Sequence, residues 1–378
     1  MGFYELLLQV GGVIGFWINY AVTIHIAPTS KQWHIPVAIQ FIPGGLLVIG
    51  AFFLPESPRW IRSKGNLERS QAVTAMLRNL PEDHVYVQQE LEMMDEQLAQ
   101  SAAYRTYGAQ MKELFVKGMR NRLASAFLMM MFQNLTGINA INYYSPRIFA
   151  SIGLTGSSTS LFGTGIYGIV KLITTFIWTI WLIDNVGRRR LLIFGSIGAI
   201  FSLFYVGAYL QISHHGGAIT TTTNAKITSG GISAAAFIYI FAIFFSASWN
   251  GTSWVYIGEI FPNHLRTLGV SLSAANQWLW QFVVARSTPY MLSNIKAGTY
   301  FFFGACTVFG MLWAIFLMPE TKGVTLEGMD EIFGYDKASR TAVRQTAHQL
   351  HHDRADTPSN TASTNDMEKG RDDQVEYA

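Results

Sequence analysis

Hydrophobic residues in this chain come in long unbroken runs, without the alternation of half-buried strands or the one-sided stripe of soluble helices. A hydrocarbon layer about 30 Å thick takes roughly 20 apolar residues in helix. Runs of that kind lie near 3–25, 34–54, 123–145, 160–183, 190–211, 233–257, 268–292 and 299–318. They are too long and too evenly apolar for the weak alternating pattern of an outer-membrane barrel. The pattern predicts an all-α membrane protein with about eight transmembrane helices.

Between the runs, charge is uneven. Arg59, Arg62, Lys64, Arg120, Arg122, Arg188, Arg189, Arg190 and Arg266 fall in connections 55–122, 184–190 and 258–267, whereas the alternate connections carry little beyond Lys31, Arg147, Lys226 and Lys296. The positive-inside bias puts the first set in the cytosol, and both visible termini with it. Two helix ends resemble each other: Pro55-Glu56-Ser57-Pro58-Arg59 closes the second run and Pro319-Glu320-Thr321-Lys322-Gly323 the eighth. A turn repeated six spans apart is what a duplicated six-helix unit leaves, a common plan in transporters; chance similarity is the competing account. On that plan 1–54 holds the last two helices of an N-terminal half and 123–320 a complete six-helix C-terminal half. Residues 55–122 form a cytosolic linker with short amphipathic helices, and 321–378 a cytosolic tail. The tail, rich in Ser, Thr, Asp, Gln and His, is expected to be disordered after about 338. The chain then starts inside the repeat, as an N-terminally truncated unit.

Composition adds exclusions. Half of the 378 residues are hydrophobic, 13% are charged and 14% aromatic, which leans away from a soluble enzyme. The net charge of +3 gathers into no basic stripe, so no nucleic-acid partner is expected. Cys306 is the single cysteine, which rules out an intrachain disulfide or a cysteine-rich metal site. His214 and His215 alone make no metal site, and no metal or cofactor is expected. Gly163-Thr-Gly165-Ile-Tyr-Gly168 matches a dinucleotide motif but lies inside an apolar run, where small residues let helices pack closely. With no nucleophile or phosphate-loop constellation either, an enzyme is not expected.

Polar residues inside the runs carry the candidate chemistry, because a carboxamide in hydrocarbon is costly unless it is hydrogen-bonded. The third run holds Gln133, Asn134, Asn139, Asn142, Tyr143 and Tyr144, and a straight helix would aim Gln133 and Asn142 in opposite directions. Either that helix is polar all round or it breaks near Gly137. Amides and tyrosine hydroxyls are the donor and acceptor set a polyhydroxylated solute needs; the competing account is interhelical bonding alone. A second cluster adds Asn250 and Trp254, then Gln277 and Trp278. Lys171 falls near the bilayer midplane with no acid at matching depth in any visible run, so its partner is expected to be the solute or a group outside the chain. At the cytosolic face, Asp184, Arg188, Arg189 and Glu259 suggest an ionic latch, Arg188 or Arg189 with Glu259. Glu56, Arg59, Arg266 and Glu320 join the gating set.

The segments PESPRW at 55–60, QNLTGINAINYY at 133–144, DNVGRRR at 184–190, WVYIGEIFP at 254–262 and PETKG at 319–323 resemble the sugar porter branch of the major facilitator superfamily. Residues 31–36, 78–84 and Lys171 look like its fungal quinate permease group. The resemblance implies a twelve-helix, alternating-access carrier in the plasma membrane, of which this chain matches helices five to twelve. It carries family sugar ligands over to Gln9, Gln133, Asn134, Asn139 and Trp254. Asn134, Gln277 and Lys171 depart from the usual sugar-carrier residues, and with them the case for a neutral hexose loosens. The expected function is secondary, proton-coupled transport of quinate or a monosaccharide-like solute. The alternative is a non-transporting fragment or nutrient sensor of the same fold.

Overall fold

In the computed structural model the described residues are 2–102, 111, 114–115, 118–151, 157–215, 229–324, 329 and 332–333. Among them the regular structure is helical: α1 Gly2–His25, α2 Lys31–Phe53, α3 Pro58–Ser63, α4 Leu67–Arg78, α5 Val85–Ala102, α6 Met119–Leu135, α7 Ile138–Ser151, α8 Ser157–Ile177, α9 Ile183–Val186, α10 Arg188–His215, α11 Ser229–Phe245, α12 Gly251–Ile260, α13 Asn263–Asn294 and α14 Gly298–Phe316. Two π-helical turns, Trp178–Leu182 and Ser246–Asn250, join α8 to α9 and α11 to α12. The tail expected to be disordered after about 338 lies outside the described residues.

Among the described residues, six helical stretches are long and apolar enough to cross a membrane: Gly2–His25, Lys31–Phe53, Leu161–Val186, Arg188–Ser213, Ser229–Ile260 and Gly298–Phe316. The other two predicted spans appear as helices of different character. Residues 123–145 are divided between α6 and α7, and 268–292 lie within the 32-residue α13, which is more polar. The bundle turns large apolar side chains outward, Phe41, Leu47, Phe52 and Phe53 on α2 among them, and α2 itself buries only Pro36. Such a surface needs an apolar solvent.

Glycine sets how closely α1 and α8 approach. A Cβ at Gly165 would lie 2.9 Å from the Trp17 indole, and Gly168 faces Val13. Gly2 in turn faces Thr179, so the helices run antiparallel and each step along α1 is a step back along α8. The Gly163–Gly168 motif is thus a packing surface.

Within 123–145 the break falls where the polar pattern placed one. Helix α6 ends at Leu135, Gly137 takes φ +83°, and α7 restarts at Ile138. A Cβ there would sit 2.7 Å from Phe303 Cγ, so both the left-handed backbone and the space demand glycine. Substitution Gly137→Ala should cost about 1–3 kcal/mol, read as a lower thermal unfolding midpoint in detergent. Gly15→Ala, with no atom within 4 Å of the added carbon, is the unaffected control.

Residues 58–102 pack α3, α4 and α5 around Ala75, Val87 and Leu91. Forked pairs join them, Arg62 to Asp95 and Arg78 to Glu90. The hydrogen bonds from Arg62 hold the Asp95 carboxyl below its ordinary range, and those from Arg78 do the same for Glu90. A depressed carboxylate stabilises above its unfolded pKa and loses that contribution as pH falls through the folded value. Hydrogen-exchange protection of α3–α5 should therefore fall below about pH 4. Asp95→Asn should reproduce part of that loss at pH 7, worth under about 1 kcal/mol for so exposed a pair.

Candidate functional site

The break between α6 and α7 faces the π turn Ser246–Asn250. A π turn shifts the helical ladder by one residue and leaves a carbonyl without its usual donor. Gln133, on the last turn of α6 and 6% exposed, supplies one: its Nε2 donates to the carbonyls of Trp249 at 3.0 Å and Asn250 at 3.1 Å. Thr136 Oγ1 donates back to the Gln133 carbonyl, covering part of the frayed end of α6. Next to it the buried Asn134 donates to the carbonyls of Met130 at 2.8 Å and Gln277 at 3.3 Å, and its Oδ1 accepts from Asn139 Nδ2 at 2.6 Å. Asn276 donates to the Phe127 carbonyl and Tyr144 to that of Ala285, zipping α6 and α7 to α13. Two acceptors in this network, Gln133 Oε1 and Gln277 Oε1, are buried and take no hydrogen bond from a described residue. Oxygens so placed suit the O–H groups of a solute.

The structure thus brings Gln133, Asn134, Asn139, Asn250 and Gln277 into one bonded cluster. Gln9 is buried on α1, and Trp254 half-buried on α12. Asn142 and Tyr143 lie on the exposed side of α7, where Tyr143 meets Gln281. Trp278 stands 63% exposed on α13, next to Gln277, whose carbonyl accepts from Asn134.

Lys171 corrects an expectation. It is 8% exposed, its ammonium donates to Asn142 Oδ1 at 3.3 Å and lies 5.7 Å from the Tyr167 ring centre. Its countercharge is inside the chain: Glu5 on α1, 5% exposed, whose carboxylate interacts with the Lys171 charge and accepts from Asn250 Nδ2 at 3.3 Å. On the antiparallel register Lys171 is level with Val10, so Glu5 is only about 7.5 Å away along the axis. Glu5 precedes Gln9 by one helical turn on the same face, the signal that could have found it.

Of the two arginines expected to pair with Glu259, Arg188 does so. Its Nη2 donates to Glu259 Oε1 at 2.6 Å, Nη1 to the Ile183 carbonyl at 3.2 Å, and Asp184 lies 3.8 Å away. Arg189 instead donates to the carbonyls of Ala314 and Ile315. Glu320 caps α10, accepting from the backbone N–H groups of Arg188 at 2.9 Å and Arg189 at 3.1 Å, a carboxylate at the positive end of the helix dipole. Thr321, which sequence reasoning missed, donates to Glu259 Oε2 at 2.8 Å. Arg266 shares with Asp184, Arg188, Glu259 and Phe3 a cavity of about 460 Å³ beside α1. Glu56 and Arg59 are exposed at the start of α3.

These features define a polytopic membrane protein of the major facilitator fold. The structure matches that of the proton:xylose symporter XylE bound to 6-bromo-6-deoxy-D-glucose with a TM-score of 0.69 and 24% identity, over 88% of this chain and 66% of that one. The inward-open form of XylE from E. coli matches at 0.63. A family model described as Sugar (and other) transporter covers residues 1–333, and the chain belongs to that family. Among its relatives, the probable quinate permease of Aspergillus flavus is 43% identical over 94% of this chain and 67% of its own length. The quinate permease of Neurospora africana is 42% identical over all of this chain and 70% of its own. The chain spans about two thirds of the length of the relatives it matches.

Replacing Arg188 with Lys keeps the charge but removes the fork that serves Glu259 and Ile183 together. Arg188→Lys should lower stability by about 1.5–3 kcal/mol, measured by thermal unfolding in micelles. Arg190→Lys, at an exposed position, should have no effect.

Proposed function

We propose that the protein carries quinate or a monosaccharide-like polyhydroxylated solute across the membrane by alternating access, together with a proton. The observation that carries this reading is the buried amide cluster at the α6–α7 break, with the Gln133 and Gln277 acceptor oxygens open to an O–H donor. The permease names of its relatives and the shared fold with a proton:xylose symporter support it. Lys171, buried beside Asn142, favours an anionic solute over a neutral sugar. On this reading Gln9, Gln133, Asn134, Asn139, Asn142, Tyr143, Lys171, Asn250, Trp254, Gln277 and Trp278 belong to the solute pathway. The Arg188–Glu259 face, both visible termini and the α3–α5 linker lie in the cytosol, and α6–α14 form one half of the carrier. Plasma membrane is the expected location, by the same resemblance.

Quinate binding is measured by thermal shift and by uptake into proteoliposomes. Gln133→Ala should weaken binding about tenfold, the worth of one to two buried hydrogen bonds. Undiminished quinate affinity in that variant would remove the amide cluster from the site. Binding with no uptake would favour the alternative, a non-transporting fragment or nutrient sensor of the same fold.

A further inference from the structure

Glu5 and Lys171 are two buried opposite charges, and neither belongs to the amide cluster or the latch. Lys171 donates to Asn142 on α7, and Glu5 accepts from Asn250 on the second π turn, whose carbonyl Gln133 holds. One hydrogen bond therefore separates Glu5 from the amide cluster. Elements packed on α1 carry few other titratable groups. Tyr167 lies beneath the Lys171 ammonium on α8, Tyr256 and Glu259 are on α12, and Asp184 follows the first π turn. Lys31 and His34 of α2 lie beyond the opposite end of α1. Lys171 is the group whose charge acts on Glu5.

Net charge is costly in hydrocarbon, so the pair is tolerable because it sums to zero. A solute carboxylate reaching Lys171 would lower the total to minus one. Neutrality returns when Glu5 takes up one proton: ionised Glu5 and the solute anion, plus one proton from water, give Glu5 as the neutral acid and the solute carboxylate paired with the Lys171 ammonium. No bond other than the new O–H is made, and no electron moves. Neutral Glu5 can keep its acceptor bond from Asn250 and gains an O–H donor.

We propose that Glu5 is the proton-accepting group that exchanges places with an anionic solute as the counter-ion of Lys171, so that one proton is bound with each carboxylate. The proposal rests on the solute reading above. The chain is mixed with quinate, or with the neutral polyol inositol, in weakly buffered detergent carrying a pH indicator, and affinities are measured from pH 6 to 8. Wild type should take up about one proton per quinate, with affinity falling up to tenfold per pH unit as Glu5 ionises, and none per inositol. Glu5→Gln should bind quinate with no proton uptake and no pH dependence. Glu5→Asp should retain both, which separates loss of the carboxyl from loss of the fold. Quinate bound by wild type without a proton, or proton uptake persisting in Glu5→Gln, would overturn the exchange while leaving the solute reading standing. No quinate binding by the folded wild type would overturn both.

Discussion

Backbone hydrogen bonding inside hydrocarbon is the constraint on which the rest depends. No water is available there, so each interruption of a helical ladder has to be repaired by the protein. The chain interrupts its ladders at the α6–α7 break and at two π turns, and sets one interruption against another. Gln133 leaves the frayed end of α6 and completes the carbonyls of Trp249 and Asn250 at the second π turn. Trp178, in the first π turn, donates to Thr252 just past the second. The repairs fix the geometry of the amide cluster, since a side chain that must donate to two carbonyls has little freedom left for its remaining oxygen.

Charge obeys the same rule at greater cost. The buried ion Lys171 is held by an amide, an aromatic face and the field of Glu5, with no direct ion pair to Glu5 within 4 Å among the described residues. At the Arg188 end the logic differs: Arg188, Glu259, Thr321 and Glu320 are in direct contact and cap a helix. The first arrangement balances charge through intervening groups and the second through direct bonds.

Much of this was legible because lipid makes polarity expensive, so an amide in an apolar run advertises itself. Gln133, Asn134 and Asn139 could be read that way, and the opposed directions of Gln133 and Asn142 on a straight helix left a break near Gly137 as one of two readings, the one the structure adopts. Glu5 was not legible by the same means. Depth along a single run carries no information on register between runs, and it is the glycine face of α8 that sets the register of α1 and brings Glu5 within reach of Lys171. The choice of Arg188 over Arg189 also depends on tertiary contact. Adjacent arginines on one turn point apart, and only packing against α14 shows that Arg189 is spent on its carbonyls. Polar spacing marked which positions need partners, and helix register decides who meets whom.

Helix α12 ties these parts together. Its first residues follow Asn250, which is bonded to Glu5 and to Gln133, and its last turn carries Glu259, bonded to Arg188 and Thr321. Ten residues of helix span about 15 Å, and both ends are fixed by charged or buried hydrogen bonds rather than by loops. A shift of Asn250, as when Glu5 changes partner or Gln133 turns toward a solute, moves the rigid rod that positions Glu259. The π turn at the head of α12 is where such a shift meets least resistance, because its ladder is already a residue out of step. In the proposed carrier, solute and latch are thereby coupled through one short helix with bonded ends, a physical connection of the kind that long-range coupling requires.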